Sequence, residues 1–482
     1  MAEASPSRKV ALSSLGHQRR RSAHVRDLLR TSPEMNALGP HNRALATRLV
    51  LGATAASGEL DRRVLAYVRR TSHLEPRVSD AFRISAFEVL YLSTPSRVSV
   101  SQGVELVRHV APRAAGMANA ILRKLAANDR PEVDAARSRV RTREATEGDL
   151  AIAGGLPSWL VSRIVGSCGL ERACDLASAE LEPAPTYVTS NTALHTAAET
   201  ADLLEQAGLG PKAMPLPGSF ALAHPAGLAT SGLVGGVDVV VSDLGAQLTA
   251  LVAAPMPGTS LLEVGQGRAS KTILLQNDAC ALGGPAELTS VDSVPYKVRV
   301  ATERVAHGWS EHVHEVCYDV SLVGQVARPA SSPVPSELDR TFDAVFLDAP
   351  CSGTGTMRRH PEIPWSLDEG LLMPSAEGSI TGLQLRLLES AATRVRPGGS
   401  LTYATCSILR EEDERVIEAF LLSEQGQGFT ITSVSEAPAV QASEHSVRSL
   451  VESNLSPEGF LRTHPRLGGF DGHFCARLVR ER

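Results

Sequence analysis

Apolar residues recur at three- and four-residue steps through NRALATRLVLGATAASGELDRRVLAYVRR, VSDAFRISAFEVLYL and QGVELVRHV, the period that gathers them on one face of successive helices. From about residue 8 to 127 this pattern predicts a compact all-α domain. Its turns are marked by Gly39-Pro40 and Thr94-Pro95, and its last helix is carried by Met117, Ile121 and Leu125. The stretch 128–147 is charged and poor in large apolar side chains, which places a linker at 131–147, one that can be helical. Residues 148–235 begin with helical spacing in LPSWLVSRIVGSCGLERACDLASAEL and then turn Pro/Thr/Gly-rich with short strands, a small intervening α+β subdomain. After Gly236 the apolar runs VDVVVSD, TSLLEVG, ELTSVDS, FDAVFLDAP and GSLTYATCS alternate with helical stretches, which predicts a doubly wound, Rossmann-like α/β domain with parallel strands. The expected division is therefore 1–130, 131–147, 148–235 and 236–482. The Pro/Ser-rich segment GQVARPASSPVPSELDR, residues 324–340, reads as a surface insertion.

A chain of 482 residues with 43% hydrophobic and 21% charged side chains has ordinary globular usage, which excludes wholesale disorder and a single small module. Its net charge of -5 conceals a split. Residues 1–145 hold 25 basic and 13 acidic side chains, and the remainder holds 23 and 40. The basic part is suited to attracting phosphates. Seven scattered cysteines, none spaced as a CxxC or CxxH metal pair, point to reduced thiols, a cytoplasmic setting and no metal. The basic N-terminus is followed by no apolar stretch, and no run of about 18 uncharged apolar residues occurs, so neither a secretory signal nor a membrane span is expected.

Ligand sites in doubly wound sheets lie beyond the carboxyl ends of the strands, so the residues after each apolar run carry the chemistry. In Leu261-Leu262-Glu263-Val264-Gly265-Gln266-Gly267-Arg268-Ala269-Ser270-Lys271-Thr272 a strand stops at glycines and a helix begins. Such a turn lets backbone approach a cofactor, and it also occurs as plain structure; the phosphate loop GxxxxGK[ST] is absent. Asp292, 29 residues after Glu263, is placed to accept hydrogen bonds from ribose hydroxyls or to cap a helix. Asp319, after VHEVCY, could meet an adenine amino group or sit in a solvated turn. Asp348-Ala349-Pro350-Cys351-Ser352-Gly353-Thr354-Gly355 and Thr405-Cys406-Ser407 put a thiol at each of two strand ends. A lone cysteine is usually core, but these two are flanked by Asp, Ser and Gly.

The runs DAPCSGTGTMRRHPEIPW, QLRLLESAATRVRPGGSLTYATCSILREEDERVIEAFL and DGHFCARL closely resemble RNA cytosine-5 methyltransferases of the Sun/RsmB type, and residues 8–127 resemble the NusB-like RNA-binding domain those enzymes carry. The resemblance implies methyl transfer from S-adenosylmethionine to carbon 5 of a cytosine in small-subunit ribosomal RNA. A thiolate added to carbon 6 makes carbon 5 enamine-like, and loss of the carbon-5 proton then lets the thiolate leave. By resemblance Cys406 is the nucleophile, Cys351 assists product release, Asp348 binds the ring at nitrogen 3, and Lys271 sits near Asp348 and the cofactor. The cofactor would lie along Glu263, Gly265, Gln266, Gly267, Arg268, Ala269, Ser270 and Lys271, with Asp292, Asp319 and Asp348. Where the family has a DACAAPGGKT-like loop this chain reads EVGQGRASKT, and Glu263, Gly265 and Gly267 instead approximate an ExGxG turn; YVTSNTAL keeps Asn191-Thr192 without the family's arginine. A non-catalytic RNA-binding assembly factor and a tRNA cytosine-5 methyltransferase are the alternatives. A basic strip of Arg358, Arg359, His360 and Arg386 is expected near the thiol loops.

Overall fold

The computed structural model describes residues 3–21, 24–68, 74–323 and 333–482, so most of the expected insertion, 324–332, lies outside the described residues. The chain divides into two compact units: Met1–Ala184 with Thr356–Leu367 and Pro465–Gly469, and Pro185–Gly355 with Asp368–His464 and Phe470–Arg482.

The first unit is helical. Proline opens the helices Pro6–Arg21, Pro40–Ala55 and Pro76–Tyr91, where its missing N–H costs nothing. Pro76–Tyr91 is buried along most of its length through Val78, Phe82, Ile84, Phe87 and Leu90. Its acidic Glu88 tolerates burial because Arg8 Nε donates to Glu88 Oε2 at 2.8 Å. Arg63, also buried, is held by Glu59, Asp129 and Glu132.

Residues 131–147, expected as a linker, are packed structure. Helix Arg130–Thr142 buries Val133, Ala136 and Val140, and Arg137 Nη2 donates to Glu182 Oε1 at 2.8 Å. Three apolar residues at helical spacing suffice to seat the helix, while its charged majority faces outward, which is why the composition looked like a linker. The division falls instead after Ala184. The segment Thr356–Leu367 is anchored within the same unit, where Trp365 Nε1 donates to Ala55 O at 2.7 Å.

The second unit holds two sheets. Strands β1 (Tyr187–Ser190), β2 (Pro211–Ala213), β3 (Ser219–Leu222) and β4 (Val239–Val241) form an antiparallel sheet in the order β2-β3-β1-β4. VDVVVSD thus belongs to this smaller sheet and does not open the parallel one as expected; a short apolar run does not carry the identity of its partner. The larger sheet comprises β5 (Ser260–Val264), β6 (Glu287–Asp292), β7 (Val313–Cys317), β8 (Phe342–Asp348), β9 (Val395–Thr405), β10 (Phe429–Thr432), β11 (Leu461–Arg462) and β12 (Phe474–Arg480). Its order is β10-β12-β9-β8-β5-β6-β7, with β11 on β12. Strands β7, β6, β5, β8 and β9 are parallel, and β12 and β10 run antiparallel at one side. Leu261, Leu288 and Phe346 pack into one core, and Leu262, Val345 and Leu347 into another, as alternation across a doubly covered sheet requires. No single helix among the described residues is long and apolar enough to cross a membrane.

Candidate active site

The register of the parallel strands brings the candidate residues to one edge. Val264 pairs with Val291 and Leu347, and Asp348 pairs with Ala404, so the chain leaves β5, β6, β8 and β9 at the same level as Gly265, Asp292, Asp348 and Cys406.

The turn after β5 is tight. Gly265 (φ 91°), Gly267 (φ 61°) and Ala269 (φ 59°) all adopt left-handed backbone. A Cβ on Gly265 would fall 2.4 Å from Asp348 O, so only glycine admits this approach of the two loops. Ala269 pays a local strain of about 1 kcal/mol to start the helix Ser270–Ala281 where the family-like loop has glycine. Asp292 ties the turn from the next strand: its Oδ2 accepts from Gly267 N at 3.0 Å and its Oδ1 from Val294 N at 2.9 Å.

Helix Ser270–Ala281 carries Lys271 to the thiol side, where its Nζ donates to Asp348 Oδ2 at 2.7 Å. Burial disfavours the Lys271 charge most, and the Asp348 carboxylate and the two nearby cysteines together outweigh it, so the ammonium lies above the ordinary lysine range. Cys351 Sγ and Cys406 Sγ are 3.1 Å apart, and Cys406 N donates to Cys351 Sγ at 3.3 Å. The two sulfurs are within hydrogen-bond distance, and either can be the donor. That hydrogen bond lowers Cys406, helped by Lys271 against burial and Asp348, while Cys351 is raised by the same contact and by burial. The two thiols therefore differ in acidity, Cys406 being the more acidic.

The expected residues do not all share this edge in the same way. Glu263 is fully buried on the core side of β5, with its Oε2 accepting from Thr272 Oγ1 and Ser290 Oγ at 2.7 Å each. Ala269 is fully buried as well. Both side chains are packed against the turn, and Glu263 Oε1 is left without a hydrogen-bond partner. Asp319 is exposed and its Oδ1 accepts from Ser321 N at 3.0 Å, the turn role. Arg268 is exposed, and its carbonyl together with Ser270 Oγ accepts from Arg304 Nη1. Arg358 is buried, donating to Arg466 O at 3.0 Å, so it does not belong to an exposed strip; Arg358–His360 lie in the first unit and Arg386 in the second.

A nucleoside cofactor fits the edge. Gln266 Nε2 and Oε1 are both buried without a hydrogen-bond partner, and open space surrounds Gly267, whose nearest atom to an added Cβ is 4.0 Å away. Backbone at a helix start, an orphaned amide and the Asp292 carboxylate are a donor and acceptor set suited to hydroxyls and an amino-acid moiety. Among the described residues one group of metal-ligand types occurs, His24, His360 and Glu362 in the first unit. There His24 Nδ1 lies 2.7 Å from Glu362 Oε1, a hydrogen bond and closer than the roughly 3.3 Å between ligands of one tetrahedral zinc.

Sequence reasoning missed Glu412. It lies in the acidic run EED, which reads as solvated surface, yet it is fully buried between the two thiol loops. The only signal was position, six residues after Cys406.

Residues 5–127 match the family model described as NusB family, and residues 295–479 match 16S rRNA methyltransferase RsmB/F. The chain is 26% identical over 482 residues to the probable ribosomal RNA small subunit methyltransferase B of Bacillus subtilis (strain 168), covering 98% of each. It is 32% identical over 389 residues to the ribosomal RNA small subunit methyltransferase B of Thermus thermophilus, covering 79% of this chain and 78% of that one. In fold it is similar to the crystal structure of PH0851 over the whole of both chains, with a TM-score of 0.70 at 20% identity. It is also similar to a methyltransferase homolog protein from Pyrococcus horikoshii, with a TM-score of 0.51 at 20% identity over 69% of this chain and 98% of that one.

Proposed function

The chain belongs to the 16S rRNA methyltransferase RsmB/F family, and from its site we infer that it methylates carbon 5 of a cytosine in small-subunit ribosomal RNA through a covalent cysteine adduct. The observation that carries this reading is the pair of thiols 3.1 Å apart at the ends of β8 and β9, beside the Lys271–Asp348 pair. One nucleophilic thiol would serve a simple acyl transfer; two thiols of opposite acidity suit a reaction that must both add to a ring and be released from it.

S-adenosylmethionine, when bound, supplies the methyl group. Gly265, Gln266, Gly267, Lys271 and Asp292 would hold it. Cys406, the more acidic thiol, adds to carbon 6 of the cytosine. Negative charge then spreads over the ring toward nitrogen 3, where Asp348 would hydrogen-bond the ring by passing on the proton that its Oδ2 accepts from Lys271 Nζ, leaving nitrogen 3 protonated and Lys271 neutral. Cys351 retains its proton during addition. When the carbon-5 proton then leaves to water, its bonding electrons re-form the ring double bond, the carbon 6–sulfur bond breaks with its electron pair on Cys406, and the Cys351 S–H assists by hydrogen-bonding that departing thiolate. The target cytosine has to leave its stack to meet Cys406, which unpaired or loop cytosines do at least cost. The basic helical part, 25 basic against 13 acidic residues in 1–145, is read as the RNA-docking element.

The experiment is transfer of radiolabelled methyl from S-adenosylmethionine to unmodified ribosomal RNA by purified protein, with Cys406→Ala abolishing it. A bisulfite map of ribosomal RNA from cells with and without the gene then names the cytosine. Failure to bind adenosylmethionine would instead support a non-catalytic assembly factor.

A further inference from the structure

Glu412 has no exposed surface, and its carboxylate is where donors from both thiol loops converge. Ser352 N donates to Oε1 at 2.7 Å and Gln384 Nε2 to the same oxygen at 3.1 Å. Ser407 Oγ donates to Oε2 at 2.6 Å, and Ser352 Oγ donates to Oε2 as well. Ser352 and Ser407 are the residues that directly follow Cys351 and Cys406. Gln384 Nε2 also donates to Pro350 O at 2.9 Å, so the residue before Cys351 is held too. Glu412 is itself fixed, because Tyr403 on β9 donates its hydroxyl to Glu412 O at 2.6 Å.

Four donors meeting on two oxygens require a group that only accepts, which is a carboxylate. An amide there would set a donor against at least one of them. Burial raises Glu412 while the Ser352 and Ser407 donors pull it back, the balance expected of a carboxylate kept for its hydrogen bonds.

We propose that Glu412 is the positioning residue that sets the separation of the two thiols, by joining the Cys351 loop to the Cys406 loop through one carboxylate. It acts through Ser352 and Ser407, whose neighbours are the reacting cysteines. The proposal rests on the reading that both thiols serve methyl transfer, and its test is chosen to fail separately from that reading. The loops are built of small residues, Ser352-Gly353 and Ser407, which supply little packing of their own to hold sulfur against sulfur.

Glu412→Asp draws the carboxylate back by one methylene, so it no longer spans both loops. In the full-length protein, kcat for RNA methylation is expected to fall at least about tenfold, with KM for RNA and for adenosylmethionine within about twofold. The second readout needs no RNA. Diamide takes two electrons and two protons from a pair of thiols, which become a disulfide as the azo bond becomes a hydrazine, and the rate reports how closely Cys351 and Cys406 approach. That rate is expected to drop about tenfold in Glu412→Asp, since geometry governs the intramolecular step. Ser407→Ala leaves the carboxylate in place and removes its bond from Ser407, together with the contact of that hydroxyl to Thr354 Oγ1; it should slow crosslinking by a smaller factor, and adding it to Glu412→Asp should slow crosslinking little further. A folded Glu412→Asp that crosslinks at the parent rate overturns the proposal whatever its activity. If Glu412→Asp does not fold, an unchanged rate in Ser407→Ala overturns it. Slowed crosslinking with no methyl transfer in the parent protein upholds the positioning role and removes the methyltransferase reading instead.

Discussion

Lys271 Nζ donates to Asp348 Oδ2 at 2.7 Å, an ion pair between residues 77 apart in sequence that sits beside both thiols. The chain has five lysines against 43 arginines, so a lysine here is a choice of a compact point charge over a planar fork. Lys271→Met keeps the stem and removes the charge. Loss of one preorganised donor at a site of developing charge costs about 10²–10³-fold in kcat. Steady-state methylation of RNA by the variant checks this, and a loss under about tenfold would show that Lys271 serves the cofactor turn rather than the ring.

Cys351 and Cys406 should separate cleanly by their adducts. If Cys406 adds to the ring and Cys351 assists release, Cys351→Ala accumulates a covalent protein–RNA species, seen as a slow band on a denaturing gel. Cys351→Ala/Cys406→Ala should show none. The same band in the double variant would remove Cys406 as the nucleophile.

Cys351, Cys406 and Asp348 stood out as candidates before any coordinates because polar and reactive residues directly after apolar strand runs contrast with their flanks, whereas Lys271 came from the family resemblance; the fold brings Lys271 to Asp348. The surroundings of Glu263 and Glu412 were not legible for one reason: sequence shows where a carboxylate lies along a strand or loop, and only the fold shows which hydroxyls reach it. Glu263, taken for a cofactor contact, points into the core to Thr272 and Ser290. Glu412, within a charged run, turns inward to Ser352 and Ser407. The helical and α/β architecture was legible from the change of period near residue 236, whereas the partner of VDVVVSD was not, because three residues of strand pair equally well with either sheet.

Glu263 gives a stability prediction whose sign follows from its burial. Desolvation, opposed by the Ser290 and Thr272 hydroxyls, pushes its carboxyl from 4.5 up to about 7. A folded-state value above the unfolded one means that the native state binds the proton more tightly, so this contribution is largest below pH 4.5 and declines as pH rises to about 7. Over that window the group costs on the order of 3 kcal/mol. Glu263→Gln cannot titrate and should lose the decline. Urea unfolding of both proteins at pH 5 and pH 8 measures it: the variant should gain on the parent as pH rises, and a difference that is the same at both values would show that Glu263 is ionised throughout.

The last prediction concerns the acid side of the reaction. Cys406 is held below the ordinary thiol range by the hydrogen bond from Cys351, with burial and Asp348 opposing and Lys271 assisting. The nucleophile is the thiolate, so reactivity is present above this depressed value and is lost as pH falls through it. Alkylation of Cys406 by iodoacetamide, followed by mass spectrometry across pH, should therefore show a midpoint below that of an unperturbed thiol. Cys351→Ala removes the donor but leaves burial and Asp348 in place, both of which disfavour the thiolate, so its midpoint should move up. Lys271→Met should move it up as well, by removing a positive charge, and the two shifts together should exceed either alone. A midpoint in Cys351→Ala at or below that of the parent would mean that Cys351 is the acidic partner, and the roles of the two thiols would have to be exchanged.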